Sequence, residues 1–240
     1  MAIIVFQHAD DCRPGRLGVT LRDQGFRLDI RRLDRGAPMP ADFDDVDGVV
    51  SLGGPQMVSD SHAWIQRELD FIKGAHDRGL PIVGICLGCQ LIGKALGGEV
   101  APMEKPEMGF VDVSLTPAGQ SDTILAGVAW KHPTFQHHRQ EVKTLPPGGV
   151  LLASSDRCKA QVFRVGQRTY AFQHHLEADR SIMDDLLGPG ASEMHHAGLA
   201  AVDFARQVQS SMEMFSRLAD RVCVNIATYL IPRVASAMAR

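Results

Sequence analysis

Over the first hundred positions, short apolar runs alternate with longer stretches of helical spacing. Residues 2–6 form an unbroken apolar run, the pattern of a strand buried on both faces. Residues 14–24 space Leu17 and Leu21 four apart and meet Gly25, which predicts a helix and its stop. Residues 26–33 alternate Phe26, Leu28 and Ile30 with polar neighbours, a half-buried strand. Residues 46–52 predict another strand, entering the turn Gly53-Gly54-Pro55. Residues 64–78 predict a helix through Trp64, Ile65, Leu69, Phe71, Ile72 and Ala75, ending at Gly79. Residues 81–85 are strand-like, and 87–96 read as the helix that follows. This β-α-β-α-β order with buried strands predicts a largely parallel sheet covered by helices on both faces.

From 99 to 172 the texture changes to short alternating segments with Gly/Pro turns. Residues 111–115 alternate cleanly, and 150–153, 160–165 and 169–172 are short strands, read together as antiparallel additions to the same domain. After Glu177 the chain becomes helical, with a Gly-Pro-Gly break at 188–190 and two helices expected near 199–215 and 217–239. The expectation is one three-layer α/β domain over residues 1–185. A helical extension over 186–240 would pack on that domain or on a partner subunit.

Composition adds exclusions more than direction. At 240 residues the chain has room for one large domain or two small ones, taking ~150 residues per domain. With 45% hydrophobic and 22% charged residues it is neither a disordered chain nor a collagen-like or coiled-coil rod. A net charge of −3 argues against a nucleic-acid footprint. No run reaches the ~20 apolar residues of a membrane span; residues 222–231 come nearest and are interrupted by Asn225 and Thr228. The start, Met-Ala-Ile-Ile-Val-Phe, lacks a basic leader region. Five cysteines make no disulfide framework, so a reducing, cytoplasmic setting is expected.

The sharpest local feature is Gly84-Ile85-Cys86-Leu87-Gly88-Cys89-Gln90, where a strand gives way to a helix. A nucleophile on a tight strand-to-helix turn needs small neighbours, supplied here by Gly84 and Gly88. The helix N-terminus favours thiolate over thiol, and its free N–H groups, Leu87 first, are placed to bind an oxyanion. A buried structural thiol and a Cys86-x-x-Cys89 redox pair are the competing readings; Gly88 and Gln90 beside Cys89 do not help the second.

A cysteine hydrolase also needs a base and a group to orient it. In Ala171-Phe172-Gln173-His174-His175-Leu176-Glu177, His175 and Glu177 are two apart. In extended backbone such residues point to one side, so the carboxylate can reach the ring.

These residues resemble the class I glutamine amidotransferases. The family's nucleophile motif, Gly-x-Cys-x-Gly-x-Gln, is matched by Gly84, Cys86, Gly88 and Gln90. Its Gln-Phe-His-x-Glu signature is matched by Gln173, His175 and Glu177, with His174 in place of Phe. Its Gly-Gly-Pro turn is matched by Gly53-Gly54-Pro55. The resemblance covers about residues 1–180. Leu176 and Glu107-Met108-Gly109-Phe110 resemble a stand-alone branch that includes GMP-synthase-type amidotransferases and γ-glutamyl peptidases. Phe135-Gln136-His137-His138, followed by Leu145-Pro146-Pro147-Gly148, resembles that branch's Phe-x-Trp-His-Gly-Asp-x-Phe-x-Leu-Pro-x-Gly. There His137 replaces Trp, and Arg139-Gln140 replaces Gly-Asp.

The resemblance implies a flavodoxin-like fold and a Cys86, His175, Glu177 triad with Gly54 and Leu87 as oxyanion donors. Gly53, Gln90 and His138 would contact substrate. The implied substrate is glutamine or another small γ-glutamyl compound, with no cofactor. An amidotransferase role would need a separate synthetase or acceptor subunit. Another candidate partner is a second copy of the chain, in a homodimer. The Arg139-Gln140 departure motivates a competing reading as a non-catalytic binding homologue. Of ten histidines, six stand in adjacent pairs, 137-138, 174-175 and 195-196. Adjacent strand residues face opposite ways, so no metal site is expected from them. Asp10-Asp11 is expected to cap the following helix.

Overall fold

A computed structural model describes residues 1–187, 194 and 197–231. The Gly-Pro-Gly break, His195-His196 and the last nine positions of the chain, within and beyond the expected final helix, lie outside the described residues.

Strands β1 (Ala2–Gln7), β2 (Leu28–Arg32), β3 (Val46–Ser51) and β4 (Ile82–Ile85) alternate with helices α1 (Gly15–Asp23) and α2 (Ala63–Asp77). Helix α3 (Leu87–Ala95) follows β4. Along β1, Ile3 and Val5 enter the core cluster shared with α1, while Ile4 and Phe6 enter the one shared with α2 and α3. An apolar run is needed because alternate side chains leave on opposite faces and both are covered.

The chain then adds β5 (Glu99–Leu115), a short helix α4 (Pro117–Gln120), β6 (Lys131–Thr144), β7 (Gly149–Ser154), β8 (Val162–Val165) and β9 (Thr169–Phe172). The nine strands join one sheet in the order β2-β1-β3-β4-β9-β8-β7-β5-β6. Residues 169–172 depart from the expectation: β9 is parallel to β4, with Ile85 opposite Phe172, and antiparallel only to β8. The antiparallel excursion β5–β8 is thus the long connection that a parallel pair requires. All four residues of β9 are buried, the signature of a central strand. The β5–β6 hairpin is also longer than 111–115 suggested, because Pro102 and Pro106 obscure its alternation; the register shifts between Pro102 and Glu107.

After α5 (Arg180–Leu187), the expected pair of helices is one helix, α6 (Ala201–Asn225), followed by a π-type turn at Ile226–Leu230. No Gly or Pro breaks it, and Phe204, Val208, Phe215, Leu218, Ala219 and Val222 continue one buried stripe. It packs against α1, β5 and β6. Arg16 of α1 meets Asp220 at 3.1 Å and Ser216 at 2.8 Å, and the Gln207 side chain accepts from the Phe110 N–H at 2.9 Å. Asp10-Asp11 does not cap α1, whose N-cap is Pro14 with no side-chain bond. Asp10 pairs instead with Arg32 and Arg35, stronger partners than a helix amide.

Candidate active site

Strand β4 runs straight into Cys86, which sits at φ 53° and ψ −104° as the N-cap of α3. A non-glycine residue there is strained by about 1–3 kcal/mol, and such strain persists only where neighbours enforce it. They do so here: the Cys86 N–H donates to Phe172 O at 2.9 Å, and the Gly88 N–H to Leu52 O at 3.1 Å. A Cβ on Gly88 would lie 2.0 Å from Ser51 O, and one on Gly84 2.5 Å from Gly88 O. Only glycine lets α3 start so close to the sheet.

Beyond β9 the chain brings His175 and Glu177 to the same place. His175 Nδ1 donates to Glu177 Oε1 at 2.8 Å, and both side chains are buried. That contact leaves Nε2, which is buried without a completed hydrogen bond, beside the Cys86 sulfur. The thiol itself donates weakly to His137 O at 3.6 Å. Burial works against a charged His175, but the Glu177 carboxylate and the Cys86 sulfur outweigh it and hold the pKa well above the usual value. An imidazolium beside a sulfur can hand a proton to a leaving group and take one back from water.

The other expected residues gather around this pair. A Cβ on Gly53 would lie 3.0 Å from His175 Cε1 and 3.6 Å from Cys86 Cβ. One on Gly54 would lie 2.9 Å from Leu87 Cδ2. Gly54, Leu87, Cys86, Gln90, His138 and His175 line one cleft of about 320 Å³. Gln90 is also a strut: its Nε2 donates to Gln140 O at 3.1 Å and to Gln173 Oε1 at 3.3 Å. His138 engages both ring nitrogens, with Gln140 O at 2.9 Å and Glu107 Oε2 at 3.1 Å, so it meets the cleft through its ring. Arg139 extends from the hairpin to Pro55 O at 3.4 Å.

His174 and His175, just beyond β9, part from one another, whereas His137 and His138 both line the cleft. His174 turns edge-on to Phe172, away from the cleft, and burial together with His132, His175 and His138 lowers its pKa to about 3. His137 stays beside His175, and burial followed by the histidine charges lowers its pKa to about 4. Both are neutral near pH 7, so neither adds a like charge beside His175. Among the described residues, Glu107, His138 and Cys158 bring ligand atoms within 4.8 Å of one another. The Glu107 oxygens already accept from Ser155, Gln161 and His138, and burial first, then Glu141 and Glu107, push the Cys158 pKa up. No ion is assigned there.

Sequence reasoning missed the Glu107–Gln161–Ser155 network, the cleft wall of Cys12, Asp185 and Leu186, and the buried cluster of His8, Ser51 and Glu68. His8 carried a readable signal: it directly follows a buried strand, at the end where parallel sheets place ligands.

The family model for class I glutamine amidotransferases matches residues 17–187. The chain is 30% identical to the glutamine amidotransferase-like protein YfeJ of Salmonella typhimurium over 184 residues, 73% of this chain and 75% of that protein. It is 33% identical to a glutamine-hydrolysing GMP synthase chain of Natronomonas pharaonis, one subunit of that enzyme, over 158 residues, 65% of this chain and 78% of the other. It is 25% identical to gamma-glutamyl peptidase 3 of Arabidopsis thaliana over 199 residues, 81% of this chain and 78% of the other. A solved glutamine amido transferase from Methylobacillus flagellatus superposes with a TM-score of 0.86 at 26% identity, covering 93% of each chain.

Proposed function

The chain belongs to the class I glutamine amidotransferase family of enzymes, and from that membership we propose that it hydrolyses the side-chain amide of glutamine through a thioester on Cys86. The observation that carries this reading is the convergence of a strained Cys86 with a buried His175–Glu177 pair at 2.8 Å. The Cys86 sulfur, as thiolate, attacks the amide carbon, and the carbonyl oxygen takes the negative charge between the Gly54 and Leu87 N–H groups. His175, oriented by Glu177, protonates the departing nitrogen, and ammonia leaves as the thioester forms. The same ring, now neutral, takes a proton from water, whose hydroxide displaces sulfur and releases glutamate. Gln90 and His138 line the cleft around the glutamyl chain, and Gly53 packs behind them against the His175 ring.

The proposal branches on what the amide belongs to and where its nitrogen goes. The likeness to the glutamine-hydrolysing GMP synthase chain supports delivery of ammonia to a separate synthetase partner. The likeness to a gamma-glutamyl peptidase supports a γ-glutamyl peptide as substrate. Arg139 at the cleft mouth, where that branch carries glycine, favours testing the second directly. Glutamate and ammonia release is measured from glutamine and from γ-glutamyl dipeptides, beside a Cys86→Ala control. Release that persists in Cys86→Ala, or no release from any of them, sinks the reading.

A further inference from the structure

The Gly53-Gly54 turn forms one side of the proposed oxyanion hole. Between two glycines a peptide plane rotates at little steric cost, so something must hold it. His8, at the end of β1, lies directly behind it. Its Nδ1 meets Gly53 O at 3.0 Å and its Nε2 meets Glu68 Oε2 at 2.8 Å. Glu68, on the inner face of α2, also accepts from Ser51 Oγ at 2.6 Å, and both His8 and Glu68 are fully buried. Trp64, one turn earlier on α2, stacks on the His8 ring at 4.9 Å, and Gln56 Nε2 donates to His8 O at 3.1 Å.

A carbonyl and a carboxylate both only accept, so His8 donates from both nitrogens and is an imidazolium. Burial would pull its pKa down, but Glu68 and the backbone carbonyls outweigh burial and raise it. A buried ion pair of this kind is weak evidence for stability, since well-packed apolar residues often serve as well. What apolar residues could not supply is a hydrogen bond to the Gly53 carbonyl. In a planar trans peptide the C=O and the next N–H point in opposite directions. With Gly53 O drawn toward His8, the Gly54 N–H is turned the other way, to the cleft that Gly54 lines beside Leu87.

We propose that His8, held by Glu68 and Ser51, is a positioning residue that locks the Gly53–Gly54 peptide with the Gly54 N–H presented to the oxyanion. The proposal rests on the hydrolase reading above. It predicts a split between two reactions of Cys86. Amide hydrolysis needs the oxyanion hole; alkylation by iodoacetamide, a displacement at saturated carbon, does not.

His8→Phe keeps the ring and the Trp64 stack but removes both donors. Its kcat is expected to fall about 10²-fold, the scale of losing one oxyanion donor, while KM and the Cys86 alkylation rate stay within about twofold. His8→Asn, whose amide nitrogen can replace Nδ1–H, should recover about tenfold of that loss. A His8→Phe enzyme with kcat within about threefold of wild type overturns the proposal, as does alkylation that falls in step with kcat. If His8→Phe does not fold, Glu68→Gln keeps the volume and removes the charge that holds the imidazolium. There a kcat loss of about tenfold with normal alkylation supports the proposal, and an unchanged kcat overturns it. Wild-type protein that is alkylated but releases glutamate from no substrate sinks the hydrolase reading, and this proposal with it. Active wild type with an indifferent His8→Phe sinks only the proposal.

Discussion

Two buried histidine–carboxylate pairs flank the Gly53-Gly54 turn, each with a contact of 2.8 Å. In one, His175 gives one nitrogen to Glu177 and leaves the other beside a sulfur. In the other, His8 gives one nitrogen to Glu68 and the other to the Gly53 carbonyl. Burial lowers the pKa of both rings, and in each the neighbouring carboxylate and the other polar partners outweigh it, so both end raised. Their difference is valence: a ring with a nitrogen to spare can move a proton, and a ring with none can only hold something still. Only His175 finds its carboxylate within a His-x-Glu motif; His8 meets Glu68 from 60 residues away.

The largest test of that contrast is His175→Asn, expected to lower kcat by about 10⁴-fold or more, against the far smaller loss in His8→Phe. Steady-state glutamate release from the two variants at equal protein concentration checks it. Equal losses would erase the distinction. Glu177→Gln keeps a neighbour for Nδ1 but lets the ring adopt the wrong tautomer, so about 10³-fold is expected in kcat with KM nearly unchanged.

A buried histidine without a carboxylate marks the other end of the comparison. Burial first, then the charges of His132, His175 and His138, lower the His174 pKa to about 3. The unfolded chain therefore binds the proton first as pH falls below the ordinary histidine value, and stability drops from there down to the folded pKa. At pH 5 the loss is about 2 kcal/mol, so His174→Phe should raise the melting temperature at pH 5 and hardly change it at pH 8. The smallest effect is expected at Arg139, exposed at the cleft mouth and reaching Pro55 O. Arg139→Gly should shift KM by less than about tenfold, differently for glutamine and γ-glutamyl peptides, with kcat and alkylation unchanged.

Much of this was legible along the chain. The apolar runs of β1, β3 and β4 announced strands covered on both faces, and the glycines around Cys86 announced a tight turn. Residues 169–172 were legible as a strand but not as a parallel one, because four buried residues carry no direction; only pairing with Ile82–Ile85 sets it. The continuity of α6 was obscured by dividing a single apolar stripe at Ser216, and its docking depends on Arg16 and Phe110, far away in sequence.

Local sequence was enough to propose a kind of chemistry, since a cysteine flanked by glycines and a His-x-Glu pair are local patterns with local physical reasons. Which histidines keep a nitrogen to spare is a property of the folded chain. It depends on acceptors contributed by α2 and the Gly-Gly-Pro turn, and no spacing within one segment records how many of them a ring will meet once the sheet has formed.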